Sequence, residues 1–430
     1  MSILLEHPEA QELLAQTEVE PGTVRRCARH LTRFIRRYLP FFYRDEQRQH
    51  AAVILQGKLT GLQRKTTEPI AIDAGLKRRP LQLFVGAGGW DDGAVLGELR
   101  RHVRDALGDP DGVLVLDPSA FPKKGQQSCG VARQWCGRLG KVDNCQAGVF
   151  LAYVAPRGKA LIACRLFLTE ERAADVKHRQ KTYVPPEVTF QEKWRIGLGL
   201  LDRSGPDVPH GWVVGDDEFG RATELRAQLR RDQERYVLDV PCNTLVRDLS
   251  ERRPPSREGG KPRLPLFERV DRWAARQPKK RWKKIRLHGG EKGPREVLAM
   301  QRRVQTKDEE GRVGPSERLV VIKTCEKGPR VWYAVSNARE GVPLAPVVVA
   351  HGCRHGVEEL FWEGNQEVGL SDYEVRSWTG WHHHMTLTLL ALWFLQLERL
   401  EVGGEKSGDH GVVGAGDLHG VAAAAGAECA

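Results

Sequence analysis

Apolar residues recur at helical spacing through the first hundred positions, then give way to short unbroken apolar runs. Val24, Cys27, Ala28, Leu31, Phe34 and Ile35 mark one face of a helix over Val24 to Tyr38, which Pro40 ends. Ala51, Ala52, Ile54, Leu55, Leu59 and Leu62 predict a second helix over Asp45 to Arg64. Val95, Leu96, Leu99 and Val103 predict a third, with Asp91 or Asp92 as its cap. At Val113 the pattern changes. Val113-Leu114-Val115-Leu116 is a β-favouring run that ends in Asp117, then turns at Pro118 and Pro122 into a Lys123-Lys124-Gly125 loop.

Two strands follow, over Gln146 to Val154 and Ala160 to Leu168, with Pro156-Arg157-Gly158-Lys159 as hairpin chemistry between them. A helix over Gln191 to Leu201 leads to Trp212-Val213-Val214-Gly215-Asp216, a second apolar run that ends in a carboxylate. A helix over Ala222 to Leu229 and a strand over Arg235 to Val240 complete this stretch. An antiparallel meander that continues into strand–helix–strand alternation predicts a mixed α/β sheet. Pro241 to about Gly289 breaks the regularity. Val297 to Gln305, Leu319 to Thr324 and Val331 to Val335 then predict a β-rich insertion, before helices resume near Arg354.

The expected organisation is an N-terminal helical region over 1–105 and the first part of an α/β core over 106–240. A basic linker with the β-rich insertion occupies 241–350, the core's C-terminal helices 351–402, and a Gly- and Ala-rich tail 403–430, expected to be poorly ordered.

Charge narrows the class of partner. Lys and Arg number 67 against 56 acids, a formal +11 that favours nucleic acid or another polyanion. Arg26, Arg29, Arg33 and Arg36 recur every three or four residues on the first helix, and Lys279, Lys280, Arg281, Lys283 and Lys284 surround Trp282. Both read as DNA-gripping surfaces, with a solvated charged face as the alternative. Nine cysteines without a C-x-x-C pair read as reduced thiols. The start at Met1 lacks a basic segment followed by a long apolar one, and Met385 to Leu395 is too short to span a bilayer. A soluble cytoplasmic protein is therefore expected, with no membrane partner.

Asp117 and Asp216 occupy equivalent places, each after an apolar strand. On neighbouring strands they would meet at one rim, where ligands of open α/β sheets bind. Two such carboxylates stay ionised only beside a cation, and all-oxygen ligands suit Mg²⁺ or Mn²⁺. Arg354-His355-Gly356-Val357-Glu358 offers a third acid. In an unbroken helix His351, Arg354, Glu358 and Asn365 share one face, since eleven residues advance about 1100°, roughly 20° past whole turns. Glu359 points about 100° away. The alternative is an ordinary Arg354–Glu358 surface pair. Trp381-His382-His383-His384 invites a zinc reading, but adjacent histidines on a helix diverge and cannot converge without other ligands.

Several segments carry a resemblance. Asp117-Pro118-Ser119-Ala120-Phe121-Pro122-Lys123-Lys124-Gly125, Gly130-Val131-Ala132-Arg133-Gln134-Trp135-Cys136-Gly137 and Lys141-Val142-Asp143-Asn144-Cys145-Gln146 resemble DDE-type bacterial insertion-sequence transposases. The insertion-sequence-701-like branch is the nearest in pattern. Glu363 to Leu370, Asp372-Tyr373-Glu374-Val375-Arg376 and Gly380 to Met385 resemble that branch's C-terminal part. The resemblance implies an RNase H-like mixed sheet flanked by helices, with a β-rich insertion before the helix that carries the glutamate. It implies Asp117, Asp216 and Glu358 as a catalytic triad on Mg²⁺ (or Mn²⁺) that cuts and joins DNA.

Double-stranded DNA, as element ends and as target, would be the partner, held by a homodimer in the bacterial nucleoid. Lys123, Lys124 and Arg354 would neutralise phosphates. In the Tyr-Arg-Glu-Lys signature of related transposases, His351 stands in the Tyr place and Asn365 in the Lys place. Two other readings stay open: a DNA-binding protein without catalysis, and a structure-specific nuclease of the same fold.

Overall fold

The computed structural model describes residues 21–252, 263–290, 293–308, 310–326 and 328–405. Pro254-Pro255, Gly259-Gly260, the chain start and nearly all of the Gly- and Ala-rich tail lie outside the described residues.

Among the described residues five α-helices come first: α1 (Pro21–Tyr38), α2 (Asp45–Lys58), α3 (Thr67–Asp73), α4 (Arg78–Ala87) and α5 (Asp92–Leu107). The apolar face expected of α1 is buried through Cys27, Leu31, Phe34 and Ile35, while Arg29, Arg33 and Arg36 are exposed. Asp91 caps α5 by accepting from the Ala94 N–H at 3.1 Å. The single helix expected up to Arg64 ends six residues earlier, at Lys58, and α3 and α4 follow as separate short helices.

The sheet begins with β1 (Val113–Pro122), β2 (Ala132–Cys136), β3 (Lys141–Ala155) and β4 (Gly158–Phe167). Helices α6 (Glu170–Ala174), α7 (Val176–Lys181) and α8 (Lys193–Ser204) lead to β5 (Trp212–Gly215). Then come α9 (Asp217–Gly220), α10 (Thr223–Arg231) and β6 (Tyr236–Asp239). β1 pairs antiparallel with β3 and parallel with β5, and β5 pairs parallel with β6. The mixed, helix-flanked sheet of an RNase H-like fold is thus present.

One local expectation needs correction. β1 does not end at Asp117 but continues through Pro118 to Pro122, paired with β3 as far as Cys145. Pairing with β5 stops at Leu116. Beyond that point β1 has a neighbour on one side only, the kind of edge where a residue without an N–H is tolerated. Two prolines fit the strand for that reason.

The insertion strands are β7 (Leu245–Asp248), β8 (Glu268–Arg269), β9 (Lys283–Gly290), β10 (Gly293–Lys307), β11 (Val313–Thr324) and β12 (Val331–Ser336), with α11 (Val270–Ala275) between β8 and β9. They do not form a detached sheet. β12 pairs antiparallel with β6 through Val335↔Leu238, so core and insertion share one sheet of 12 strands among the described residues. The insertion keeps a small core of its own, in which Val246, Val270, Trp273, Met300, Val304 and Val321 pack together.

The chain closes with α12 (Leu344–Gly352), α13 (Arg354–Glu367) and α14 (Trp378–Glu405). From Trp381 to Leu395 nearly every side chain of α14 is buried, which makes it the spine of the main core rather than an amphipathic surface helix. No helix among the described residues is long and apolar enough to cross a membrane. The His-His-His run is part of this spine. His382 Nδ1 lies 3.0 Å from the Trp378 carbonyl, both ring nitrogens of His383 lie 3.1 Å from the Val85 and Trp90 carbonyls, and His384 Nε2 lies 3.2 Å from the Leu370 carbonyl. The other nitrogen of His382, Nε2, accepts from the Leu166 N–H at 3.4 Å, so backbone groups partner all three rings.

Candidate active site

The register of three parallel strands builds the site. Leu116 is opposite Gly215, and Gly215 is opposite Leu238. The next residues, Asp117, Asp216 and Asp239, therefore form a row of carboxylates where β1 outruns its pairing with β5, at the C-terminal ends of β5 and β6. Asp216 caps the short helix α9, accepting from the Glu218 N–H at 3.0 Å. That turn is pressed onto the end of β6: a Cβ at Gly220 would come within 1.7 Å of the Asp239 carbonyl oxygen. Only glycine permits this approach, which positions Asp216 and Glu218.

Asp239 was missed in the sequence, although Tyr236-Val237-Leu238-Asp239 repeats the signature of the other two. It is 5% exposed and accepts from Arg354 Nη1 at 2.5 Å, and His351 Nε2 lies 2.8 Å from its other oxygen. Burial pushes its pKa up, but the His351 and Arg354 partners outweigh that and hold it below the usual carboxylate range. Asp239 is thus the anchor of the Arg354 guanidinium rather than an open acid.

Glu358 enters from α13, which packs against β1. Its side chain is 56% exposed, with Arg354 Nη2 at 3.5 Å and His355 Nδ1 at 3.4 Å. Asp117 carries the electrostatic signature of the cluster. Its carboxyl is raised well above the ordinary value, first by burial, then by the charges of Asp216, Glu358 and Glu218, against the lowering effect of Arg354. Asp216 is raised to about 6 by burial and by Glu218 and Asp217, again against Arg354. Arg354 itself is raised: four acids, Asp239, Asp117, Asp216 and Glu358, outweigh its burial. Asp117 thus feels the charges of both Asp216 and Glu358, and all three carboxylates act on Arg354.

The other expected residues divide. The unbroken helix does not exist, because α12 stops at Gly352 and α13 starts at Arg354. His351 turns inward to Asp239, whereas Asn365 Oδ1 accepts from Arg138 at 3.2 Å and its amide donates to the Phe361 carbonyl at 2.6 Å. Lys123 is not free for a phosphate. Its ammonium donates to the Tyr373 carbonyl at 3.1 Å and lies 3.3 Å over the Tyr373 ring, and burial lowers its pKa to about 8. Lys124 is exposed. Glu359 pairs with Lys159, away from the triad.

Of the basic segment, Lys279, Lys280 and Lys283 are exposed, Arg281 is bonded to Gln277, and Lys284 pairs with Glu296 at 2.5 Å. Trp282 is covered by Lys323, 3.9 Å from its ring centre. Leu287 on β9 borders Gly352, so this strand runs beside the break that leads into α13.

The fold and the acidic rim define a nuclease-type α/β enzyme. A family model, "DDE superfamily endonuclease", matches residues 37–294, more than half of the chain, and the protein belongs to that family. No curated protein matches the chain. Nucleases of this superfamily use divalent metal ions. The residues present fit such ions. Asp117 feels the charges of three further acids, of which Glu218 is paired with Lys193 at 2.9 Å, while Arg354 is shared with Asp239. Two bound positive charges would relieve that surplus, and every donor is oxygen.

Proposed function

We propose that the protein is a transposase of the insertion-sequence-701-like branch, which cuts double-stranded DNA at the ends of a mobile element and joins those ends to target DNA. The observation that carries this reading is the meeting of Asp117 and Asp216, one step past paired parallel strands, with Glu358 from α13. In this reading the three carboxylates hold Mg²⁺, with Mn²⁺ as substitute. Bound ions of this kind acidify an attacking water or hydroxyl and stabilise charge on the phosphate and leaving oxygen.

The chain's own groups do the rest. Arg354 lies between Glu358 and Asp239 and balances negative charge brought by a scissile phosphate. Asp239 is a positioning residue, since it accepts from the guanidinium, and His351 in turn holds Asp239. Glu358 is exposed and meets incoming DNA, whereas Asp117 and Asp216 sit below it in a drier place where their charges act strongly. Lys124, Lys279, Lys280 and Lys283 are free to contact the backbone, as are Arg29, Arg33 and Arg36 of α1. The N-terminal helices and the insertion then serve as DNA-binding regions around the catalytic sheet. Two ends must be held together for joining, which calls for a homodimer on DNA in the bacterial nucleoid.

The test is Mg²⁺-dependent cleavage of plasmid DNA that carries the element ends. Wild-type protein cuts and joins, and Asp117→Ala does neither. Equal cutting by both would remove Asp117 from the chemistry. Cutting without joining would assign a nuclease of the same fold, and DNA binding with no cutting by the wild type would assign a non-catalytic relative.

A further inference from the structure

Away from the acidic rim, the N-terminal helices and the segment after α13 enclose a cavity of about 570 Å³. Its floor is apolar, through Ile54 of α2, Ile70 of α3, Val85 of α4 and Leu387 of α14. Two lysines in its wall are almost fully buried, Lys58 at 2% exposure and Lys65 at 5%. Lys58 Nζ donates to the Val368 carbonyl at 3.3 Å, and Lys65 Nζ donates to the Lys58 carbonyl at 2.9 Å and to the Glu367 carbonyl. Those oxygens carry no full charge, and among the described residues neither ammonium has an ion-paired carboxylate. Burial lowers Lys58 to about 7 and Lys65 to about 8, with Asp372 acting on both only from a distance. Arg79, Lys181 and Arg376 also line the cavity and are exposed. Of the two lining acids, Glu374 is paired with Arg64 at 3.0 Å and Asp372 accepts from the Lys65 backbone N–H at 3.0 Å. Five cations thus face two acids that are already engaged. Tyr183 lines the same cavity, 74% exposed and at a left-handed φ of 54°, which a bulky side chain rarely adopts.

We propose that this cavity binds one nucleotide, its phosphate held by the lysines and arginines of the wall and its base laid between the apolar floor and the Tyr183 ring. A buried cation without a counter-charge is costly, and an anion bound beside it removes that cost. Phosphate suits several Lys and Arg donors at once. Inorganic phosphate alone would leave most of the space empty, since the volume falls among small-molecule sites of ~300–1,000 Å³. An apolar floor and an exposed aromatic ring supply what a base needs, and stacking accepts any of the bases. The nucleotide has two sources, free in solution or unpaired in bound DNA, and the second rests on the reading of the protein as a DNA-cutting enzyme. Lys123, one residue past β1, donates to the carbonyl of Tyr373, which lines the cavity. Asp117 lies five residues back from the end of β1, about 17 Å along an extended strand, so the cavity is a second site beside the rim.

Calorimetric titration of the full-length protein with 5′-dAMP tests this, in EDTA so that no metal at the acidic rim takes part. The wild type should bind one equivalent, and deoxyadenosine, which lacks the phosphate, should bind about tenfold more weakly. Replacing the exposed Lys181 and Arg376 together with alanine should weaken dAMP about tenfold while circular dichroism is unchanged. Glycine accepts the left-handed backbone at 183, so Tyr183→Gly keeps the fold yet should lose about tenfold in affinity. Tyr183→Phe keeps the ring and should bind as the wild type does, as should Asp117→Ala. A short single-stranded oligonucleotide that displaces dAMP assigns the source to DNA, and one that leaves dAMP bound assigns a free nucleotide. No binding of dAMP by the wild type at millimolar concentration would overturn the proposal. So would equal binding by the wild type and Tyr183→Gly, or loss of binding in Asp117→Ala, which would place the ligand at the rim. None of these readouts involves cutting, so failure here and failure of the transposase reading are told apart.

Discussion

Asp216 and Asp239 stand side by side on β5 and β6 and have opposite fates. Asp239 is satisfied by His351 and Arg354 and sits below the usual carboxylate range, while Asp216 is pushed up to about 6. A folded-state pKa above the unfolded 3.8 means that the folded protein binds the extra proton. The associated stability is complete below about pH 4 and is lost as pH rises through 6. At pH 7 without divalent metal, Asp216→Asn should stabilise the protein by about 1–3 kcal/mol, a gain that disappears near pH 4 and shrinks on addition of Mg²⁺. Urea melts at the two pH values measure it. A gain independent of pH would show that charge is not the cause.

Asp117 and Asp216 were readable because each follows an apolar run. Asp239 follows one too, but its partners His351 and Arg354 lie more than a hundred residues away in sequence, and no local pattern shows that a carboxylate is already spoken for. Lys123 is a similar case. Its loop looks free in the sequence, whereas the ammonium is fixed on Tyr373, 250 positions away.

At the level of elements, strand and helix types followed from periodicity, and the errors lie in ends and partners. The β1 strand passes through two prolines because β5 stops pairing at Leu116, a fact that belongs to β5. The insertion strands were visible as apolar runs, but their membership of the main sheet depends on β12 meeting β6. A buried carboxylate secures that union. Glu317 on β11, with no exposed side-chain surface, accepts from Arg226, from Arg230 at 2.8 Å and from the Tyr236 hydroxyl at 2.5 Å. It joins α10 and β6 to the insertion. Glu317→Gln leaves two guanidiniums short of a counter-charge and should cost about 3–5 kcal/mol. A change below ~1 kcal/mol in a denaturant melt would show that the junction rests on strand pairing alone.

Over the whole molecule, the +11 charge is distributed with direction. The face of α1 opposite the core presents Arg29, Arg33 and Arg36, the turn before β9 presents Lys279 and Lys280, and β9 begins with the exposed Lys283. Replacing the three arginines with alanine should weaken binding to duplex DNA uniformly across sequences. It should also reduce the slope of log affinity against log salt by up to ~3, about 0.9 for each phosphate that is no longer neutralised. An unchanged slope would return α1 to the status of a solvated surface.

The central claim is that Asp117, Asp216 and Glu358 share divalent ions, and Mn²⁺ binding tests it most directly. The free-ion signal in electron paramagnetic resonance, followed during titration of chelator-stripped protein, reports the affinity. Asp117→Asn, Asp216→Asn and Glu358→Gln should each bind Mn²⁺ more weakly than the wild type by an order of magnitude or more, while the fold is retained. Wild-type affinity in all three variants would contradict the account.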